Sequence, residues 1–344
     1  MNERMARHET ETTCSATEAV ANPVAMCTVQ GPLVPADNFA YTAPAERTNQ
    51  VSYFAMAGER KIPFKFLRSG RDRRPVVAFL HGMGLTTASF WGMLPYVMPS
   101  HDVLLIDWSD FATGDYWPRR GLGLERLAAD LWAVPTVLGI ERLVLAGSSL
   151  GGGLSLMTAF DQPLRVTGLI LFNPAAYPQP LPLFYKTLRI PLLGEFSMRV
   201  IRSSSITEGV IHTGYANPGK AHPDLVKNYE CNMRPLANRL KLMHLIRALP
   251  TRAAHLARYA QFAERINPPT LVVWGVKDGL LDGSTPHRLK SDIRSLQLEL
   301  VAGVSHLPHE EAPERVGPMV ADYLRRQIDA PAADMGDFGQ DRLP

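Results

Sequence analysis

The sequence predicts an α/β domain: a mostly parallel sheet covered by helices on both faces. Three observations predict it. Short apolar runs recur at Val76–Leu80, Val103–Ile106, Leu143–Ala146 and Val166–Phe172, continuous rather than alternating, as in strands buried on both sides. Stretches with helical spacing separate them. Glycine-rich turns follow two of the runs, at His81-Gly82-Met83-Gly84 and at Gly147-Ser148-Ser149-Leu150-Gly151.

Taken in order, residues 1–50 are rich in Thr, Ala, Pro and Glu, lack periodicity and carry a net −3. They predict a partly disordered extension, with Val29–Tyr41 lying on the domain surface. Val51–Ala57 and Lys61–Leu67 predict a hairpin around Gly58-Glu59-Arg60. The α/β rhythm then runs to residue 177, with helices expected at Ser89–Met98, Leu124–Leu138 and Leu150–Phe160. It breaks at Asn173-Pro174. Residues 178–265 show no strand pattern but several helical ones, such as Asn238–Leu249 and Arg252–Ile266, and predict a helical insertion. The sheet pattern resumes with strand Thr270–Trp274, helix Thr285–Arg294, strand Leu296–Val301 and helix Pro313–Ile328. One core (51–177 and 266–328), an insertion (178–265) and a flexible tail (329–344) result.

Composition narrows the function classes. The chain has 344 residues, 46% hydrophobic and 20% charged, enough for one large globular domain. Its net charge of +3 is too small for a nucleic-acid protein. No apolar window is long enough to span a membrane, and the first residues are charged where an export signal needs an apolar core. We expect a cytoplasmic protein with no nucleic-acid and no membrane partner. Three cysteines, Cys14, Cys27 and Cys231, cannot pair completely and include no CxxC, so neither a disulfide framework nor a zinc site is expected. A single Cys14–Cys27 bridge is the remaining option.

The chemistry centres on Gly147-Ser148-Ser149-Leu150-Gly151, a G-x-S-x-G between an apolar strand and a helix. A nucleophile on so sharp a turn needs neighbours without side chains. The helix N-terminus beyond it offers unpaired N–H groups where an oxyanion forms. Ser149 is the expected nucleophile and the Leu150 N–H the first oxyanion donor. The alternative is that the glycines merely allow close packing; Ser148 is the competing hydroxyl, expected to be structural. The turn after Leu80 places the Met83 N–H as the second donor, with His81 holding the loop.

A serine hydroxyl needs a base, and the base a carboxylate to orient it. With the chain order serine, acid, histidine, the acid follows strand Thr270–Trp274: Asp278, with Asp282 as alternative. The base follows strand Leu296–Val301: His306. His309 is expected to face solvent or to cap the last helix, and His287 to lie on the surface. No metal-ligand spacing occurs, so no metal and no cofactor are expected.

Together, His81-Gly82-Met83-Gly84, Gly147-Ser148-Ser149-Leu150-Gly151, Trp274-Gly275-Val276-Lys277-Asp278, Gly303-Val304-Ser305-His306 and the continuation Glu311-Ala312-Pro313-Glu314 resemble the α/β-hydrolase family, in its capped serine hydrolase and esterase branch. The resemblance covers about Val51 to Ile328. It implies an eight-stranded, mostly parallel sheet and a helical cap over the active site. Serine at the elbow, where epoxide hydrolases and haloalkane dehalogenases carry Asp, implies an acyl-serine intermediate. The loop Asp107–Asp115 departs from the family's D-x-x-G-x-G-x-S.

The expected activity is hydrolysis of a small or medium, mainly apolar carboxylic ester, a small-molecule substrate, by Ser149, His306 and Asp278. Carbon–carbon bond hydrolysis by the same residues and a non-catalytic binding protein are the alternatives. A homodimer is possible. Residues 178–265 hold 13 basic and 5 acidic residues, which fits either an acidic substrate or acyl-carrier partner, or a solvated helical face. Leu181, Leu183, Phe184, Tyr185, Met198, Met233, Met243 and Phe262 either line a pocket or pack the cap.

Overall fold

The computed structural model describes residues 53–57, 60–68, 74–108, 124–177, 182–249 and 265–328. The expectations for the extension, the turn at 58–59, the loop 109–123, the helix at Arg252–Ile266, the tail and Cys14 and Cys27 lie wholly or largely outside them.

Eight strands form one sheet: β1 (Tyr53–Ala57), β2 (Arg60–Leu67), β3 (Val76–Leu80), β4 (Asp102–Ile106), β5 (Leu143–Ser148), β6 (Val166–Phe172), β7 (Thr270–Gly275) and β8 (Leu296–Val301). Their spatial order is β1-β2-β4-β3-β5-β6-β7-β8. β1 and β2 pair antiparallel, as the hairpin pattern predicts, and β2 pairs antiparallel with β4. All other pairings are parallel.

Burial explains the unbroken apolar runs. In β3, Val77 and Phe79 face a core built with Phe90, Met93, Phe172 and Val320. Ala78 and Leu80 face the opposite core, with Leu104, Leu145, Leu154 and Trp274. Successive side chains point to opposite faces, and here both faces are covered.

The helices of the core are α1 (Leu94–Val97), α2 (Leu124–Leu131), α3 (Ala133–Val137), α4 (Leu150–Asp161), α10 (Thr285–Asp292), α11 (Pro308–Glu311) and α12 (Pro313–Tyr323). Two expected helices are broken. Thr87–Met93 winds as a 3₁₀ turn before α1, opened by the Thr86 side chain accepting from the Ala88 N–H. The Leu124–Leu138 stretch divides at Trp132 into α2 and α3. Between β6 and β7 lie α5 (Leu183–Leu188), α6 (Leu193–Val200), α7 (Ser203–Gly214), α8 (Pro223–Met233) and α9 (Leu236–Ala248). α7 and α8 pack through Ile211, Tyr215, Leu225 and Tyr229 onto Leu85 and Leu307. α5, α6 and α9 pack on one another through Leu188, Met198, Met243 and Ile246.

Candidate active site

Ser149 stands between β5 and α4 with φ 52° and ψ −118°. A side-chain-bearing residue at positive φ costs on the order of 1–3 kcal/mol and persists only where its surroundings hold it. They do: its N–H donates to the Phe172 carbonyl, and its own carbonyl accepts from the Gly153 and Ala175 N–H groups. Gly147 is required on the near side, because a Cβ there would come within 2.5 Å of the Gly151 carbonyl oxygen. Ser148 is fully buried, and among the described residues its hydroxyl has no hydrogen-bond partner.

Gly82 lies against Ser149: a Cβ built on it would sit 3.4 Å from that of the serine. Met83 therefore follows directly on the turn beside the hydroxyl. Among the described residues neither the Met83 nor the Leu150 N–H is drawn into a hydrogen bond. His81 holds the loop: it is fully buried, faces the Gly82 carbonyl at 2.8 Å and Asp107 at 3.0 Å, and stacks on Trp108.

His306 and Asp278 meet at the far side. The His306 Nδ1–H donates to Asp278 Oδ2 over 2.8 Å, with both side chains buried. That bond fixes the tautomer and leaves Nε2 as the acceptor. Burial by itself would raise the Asp278 carboxyl. Hydrogen bonds and charge from His306, the Asn173 amide and the Leu281 N–H outweigh it and hold the group below the usual carboxylate value. Asp282, the alternative acid, is exposed and accepts from the Ser284 N–H instead. His287 is exposed.

Ser149 and His306 line one cavity. Its walls are Met83, Leu85, Leu150, Tyr185, Leu281 and Leu307, with Pro182 at one side. Tyr185 thus lines the cavity, while Met198, Met233 and Met243 pack among the helices. Leu183 and Phe184 point into solvent. Leu181 and Phe262 lie outside the described residues. No group of three His, Cys, Asp or Glu able to hold a metal occurs among the described residues.

Several residues of the site were given no role from the sequence. Asn173, at the end of β6 with φ 39°, donates to Asp278 Oδ2 over 2.6 Å and accepts from the Gly275 N–H over 2.8 Å. An Asn tolerates this backbone region, and an Asn-Pro step closing a parallel strand was the available clue. Glu311 accepts from the N–H groups of Ser305, Ala216 and Asn217 at 2.9, 3.0 and 2.9 Å. His309 corrects the expectation of a solvent-facing side chain. It is fully buried, stacked against Phe90 and Phe172, and bonded to Ser89 Oγ at 2.9 Å. Burial, with the nearby His306, lowers its pKa to about 3. Beside it, Glu310 accepts from Tyr229 at 2.7 Å, Tyr215 at 2.8 Å and Ser89. Burial raises that carboxyl, against the lowering effect of those three hydroxyls and of His306.

A family model described as alpha/beta hydrolase fold matches residues 75–313. The chain belongs to the alpha/beta hydrolase fold family. A 2-hydroxy-6-oxononadienedioate/2-hydroxy-6-oxononatrienedioate hydrolase from Cupriavidus pinatubonensis is 27% identical over 72% of this chain and 86% of its own. Two solved hydrolases share the fold. The 2-hydroxy-6-oxo-6-phenylhexa-2,4-dienoate hydrolase of a Rhodococcus species is 18% identical, with a TM-score of 0.67 over 80% of this chain and 99% of its own. A carboxylesterase from Bacillus subtilis is 20% identical, with a TM-score of 0.62 over 80% and 91%. As an alpha/beta hydrolase with hydrolase relatives, this chain is a hydrolase.

Proposed function

We propose that this alpha/beta hydrolase cleaves small or medium, mainly apolar carboxylic esters by a Ser149–His306–Asp278 triad. The observation that carries the reading is the buried 2.8 Å bond from His306 to Asp278, on a histidine that shares its cavity with a serine held at positive φ. In this mechanism His306 Nε2 takes the Ser149 proton as Oγ attacks the ester carbonyl. The Met83 and Leu150 N–H groups receive the oxyanion. His306 then protonates the leaving alcohol. Water, deprotonated by His306, attacks the acyl-serine, and the acid leaves as Oγ regains its proton. Asp278 stays ionised and offsets the imidazolium charge.

The cavity lining supports an ester over the dienoates of the carbon–carbon hydrolases. Those substrates, as their names state, carry carboxylate groups, and an anion taken out of water needs a partner. Among the described residues that line the cavity, none but His306 is basic. The helices α5–α9 act as the cap that closes this cavity.

The test is a graded series of p-nitrophenyl esters with the native chain and Ser149→Ala. We expect hydrolysis of the short and medium esters and a loss of several orders of magnitude in the variant. A fluorophosphonate probe should label the native chain alone. Undiminished hydrolysis by Ser149→Ala, or turnover confined to vinylogous diketones, would overturn the proposal.

A further inference from the structure

Helix α6 shows an inverted surface. Gly194 and Met198, four apart, pack inward against α9. The outward stripe should be polar. It is Leu192, Phe196 and Val200, again four apart, with Leu193 beside them. Leu192, Phe196 and Val200 are 83%, 62% and 61% exposed. The turn before α6 adds Ile190, and α5 adds Leu183 and Phe184, all exposed. Seven large apolar side chains thus stand in solvent within residues 183–200. Single exposed apolar residues are ordinary; a concentration on one pair of helices marks an interaction surface.

Two details separate this face from an unfilled surface. Leu192 sits at φ 66°, a region leucine occupies only under constraint, and that backbone carries its side chain into water. The exposed charges of residues 183–202 are of one sign. Lys186, Arg199 and Arg202 are exposed, and among the described residues none has a carboxylate partner. The acid of this segment, Glu195, is neutralised by Arg247, which grips it through Nη1 at 2.5 Å and Nη2 at 3.0 Å.

We infer that the α5–α6 face docks on the surface of an anionic phospholipid bilayer. Apolar side chains sink to the acyl boundary while a basic rim meets the headgroups, as amphipathic interfacial helices do. The opposite, cavity-facing part of the same segment supplies Pro182 and Tyr185 to the cavity wall. Docking therefore sets this wall of the cavity beside the lipid, and the substrate class becomes an apolar ester partitioned into the bilayer. This last step rests on the ester-hydrolase reading; the docking does not. The expectation of no membrane partner rested on the lack of a spanning stretch; among the described residues no helix is long and apolar enough to cross a membrane, and surface docking needs none.

The experiment is flotation of the full chain with unilamellar vesicles, of phosphatidylcholine alone or mixed with phosphatidylglycerol. The native chain should float with the mixed vesicles, less so at high salt, and Ser149→Ala should float equally well. Leu192→Glu with Phe196→Glu should lower the bound fraction by about tenfold or more, and Arg199→Gln with Arg202→Gln should weaken binding to the anionic vesicles. Both double variants should keep native hydrolysis of soluble p-nitrophenyl butyrate, which reports an intact fold and site. No flotation with anionic vesicles, flotation indifferent to the Leu192 and Phe196 changes, or a dimer in sedimentation equilibrium that those changes dissociate without any vesicle binding would overturn the docking. Absent hydrolysis of p-nitrophenyl butyrate by a chain that floats would overturn the ester reading alone.

Discussion

The Asn173 amide donates to the Asp278 carboxylate over 2.6 Å, joining the ends of β6 and β7 across 105 positions of chain. The same amide oxygen accepts from the Gly275 N–H, so one side chain pins both the carboxylate and the strand that carries it. His306 uses that same Oδ2 oxygen. Asp278 is thus positioned before the histidine is considered. Asn173→Ala should lower kcat for p-nitrophenyl esters by about tenfold, the equivalent of one charge-assisted hydrogen bond of about 1.5 kcal/mol, with KM little changed. Thr or Ser at 173 reaches too short a distance to rescue it. Steady-state rates decide the point, and unchanged kcat would remove Asn173 from the mechanism.

Gly275 carries a separate constraint. A Cβ at this position would run into the Ser305 carbonyl oxygen, one residue before His306. The obstacle is backbone, which cannot swing aside as a long side chain can. Gly275→Ala should displace the histidine loop from β7, lowering the melting temperature by several degrees and cutting kcat more than KM. A variant with native kcat and a native melting temperature would show that the loop tolerates a shift.

The central strands, the serine turn and the two strand ends from which Asp278 and His306 meet were readable because each depends on local chemistry. A continuous apolar run, a glycine two places from the serine of a strand-to-helix turn, and a polar residue just past a strand end all leave a mark within a few residues. Asn173 leaves none that is specific, and Glu311, though part of the motif after the histidine, shows nothing there of its partners. Their partners lie on other elements, and an Asn after a strand or a Glu after a histidine is what any loop contains. His309 was misjudged for the same reason. Its neighbours in sequence, Glu310 and Glu311, suggest solvent, whereas its neighbours in space are Phe90, Phe172 and Ser89. The break of the expected helix at Trp132 and the apolar outer stripe of α6 likewise follow from packing partners, or their lack, rather than from period.

Burial of His309 makes stability depend on pH in a defined direction. The folded chain keeps this ring neutral down to about pH 3, while an unfolded histidine takes up its proton near 6.5. Between those values the unfolded state binds more protons, so stability rises with pH there and falls as pH drops through the window. His309→Asn cannot titrate. It should be less stable than the native chain at pH 7, through lost stacking, yet lose less on going from pH 6.5 toward 4. Thermal midpoints across that range measure the two slopes; parallel slopes would contradict the assignment.

Glu311 links the histidine loop to the helices above the cavity. Its two oxygens take three backbone N–H groups, one from Ser305 and two from Ala216 and Asn217 just past the end of α7. The Leu307 N–H, bonded to the Gly214 carbonyl, runs parallel to this tie. A buried carboxylate that accepts several N–H bonds is replaced poorly by an amide, which offers one acceptor oxygen and brings two donors of its own. Glu311→Gln leaves at least one of the three N–H groups without its acceptor and sets an NH₂ against it. Each bond to a charged acceptor is worth about 1.5–3 kcal/mol, so the melting temperature should fall clearly. The functional effect has a distinctive form. Loosening Ser305 moves His306 and lowers kcat, while loosening Ala216 and Asn217 shifts α7, whose Val210, Thr213 and Gly214 line the cavity, and raises KM. A change in stability with both kinetic constants unmoved would mean that Glu311 braces the fold without positioning the site.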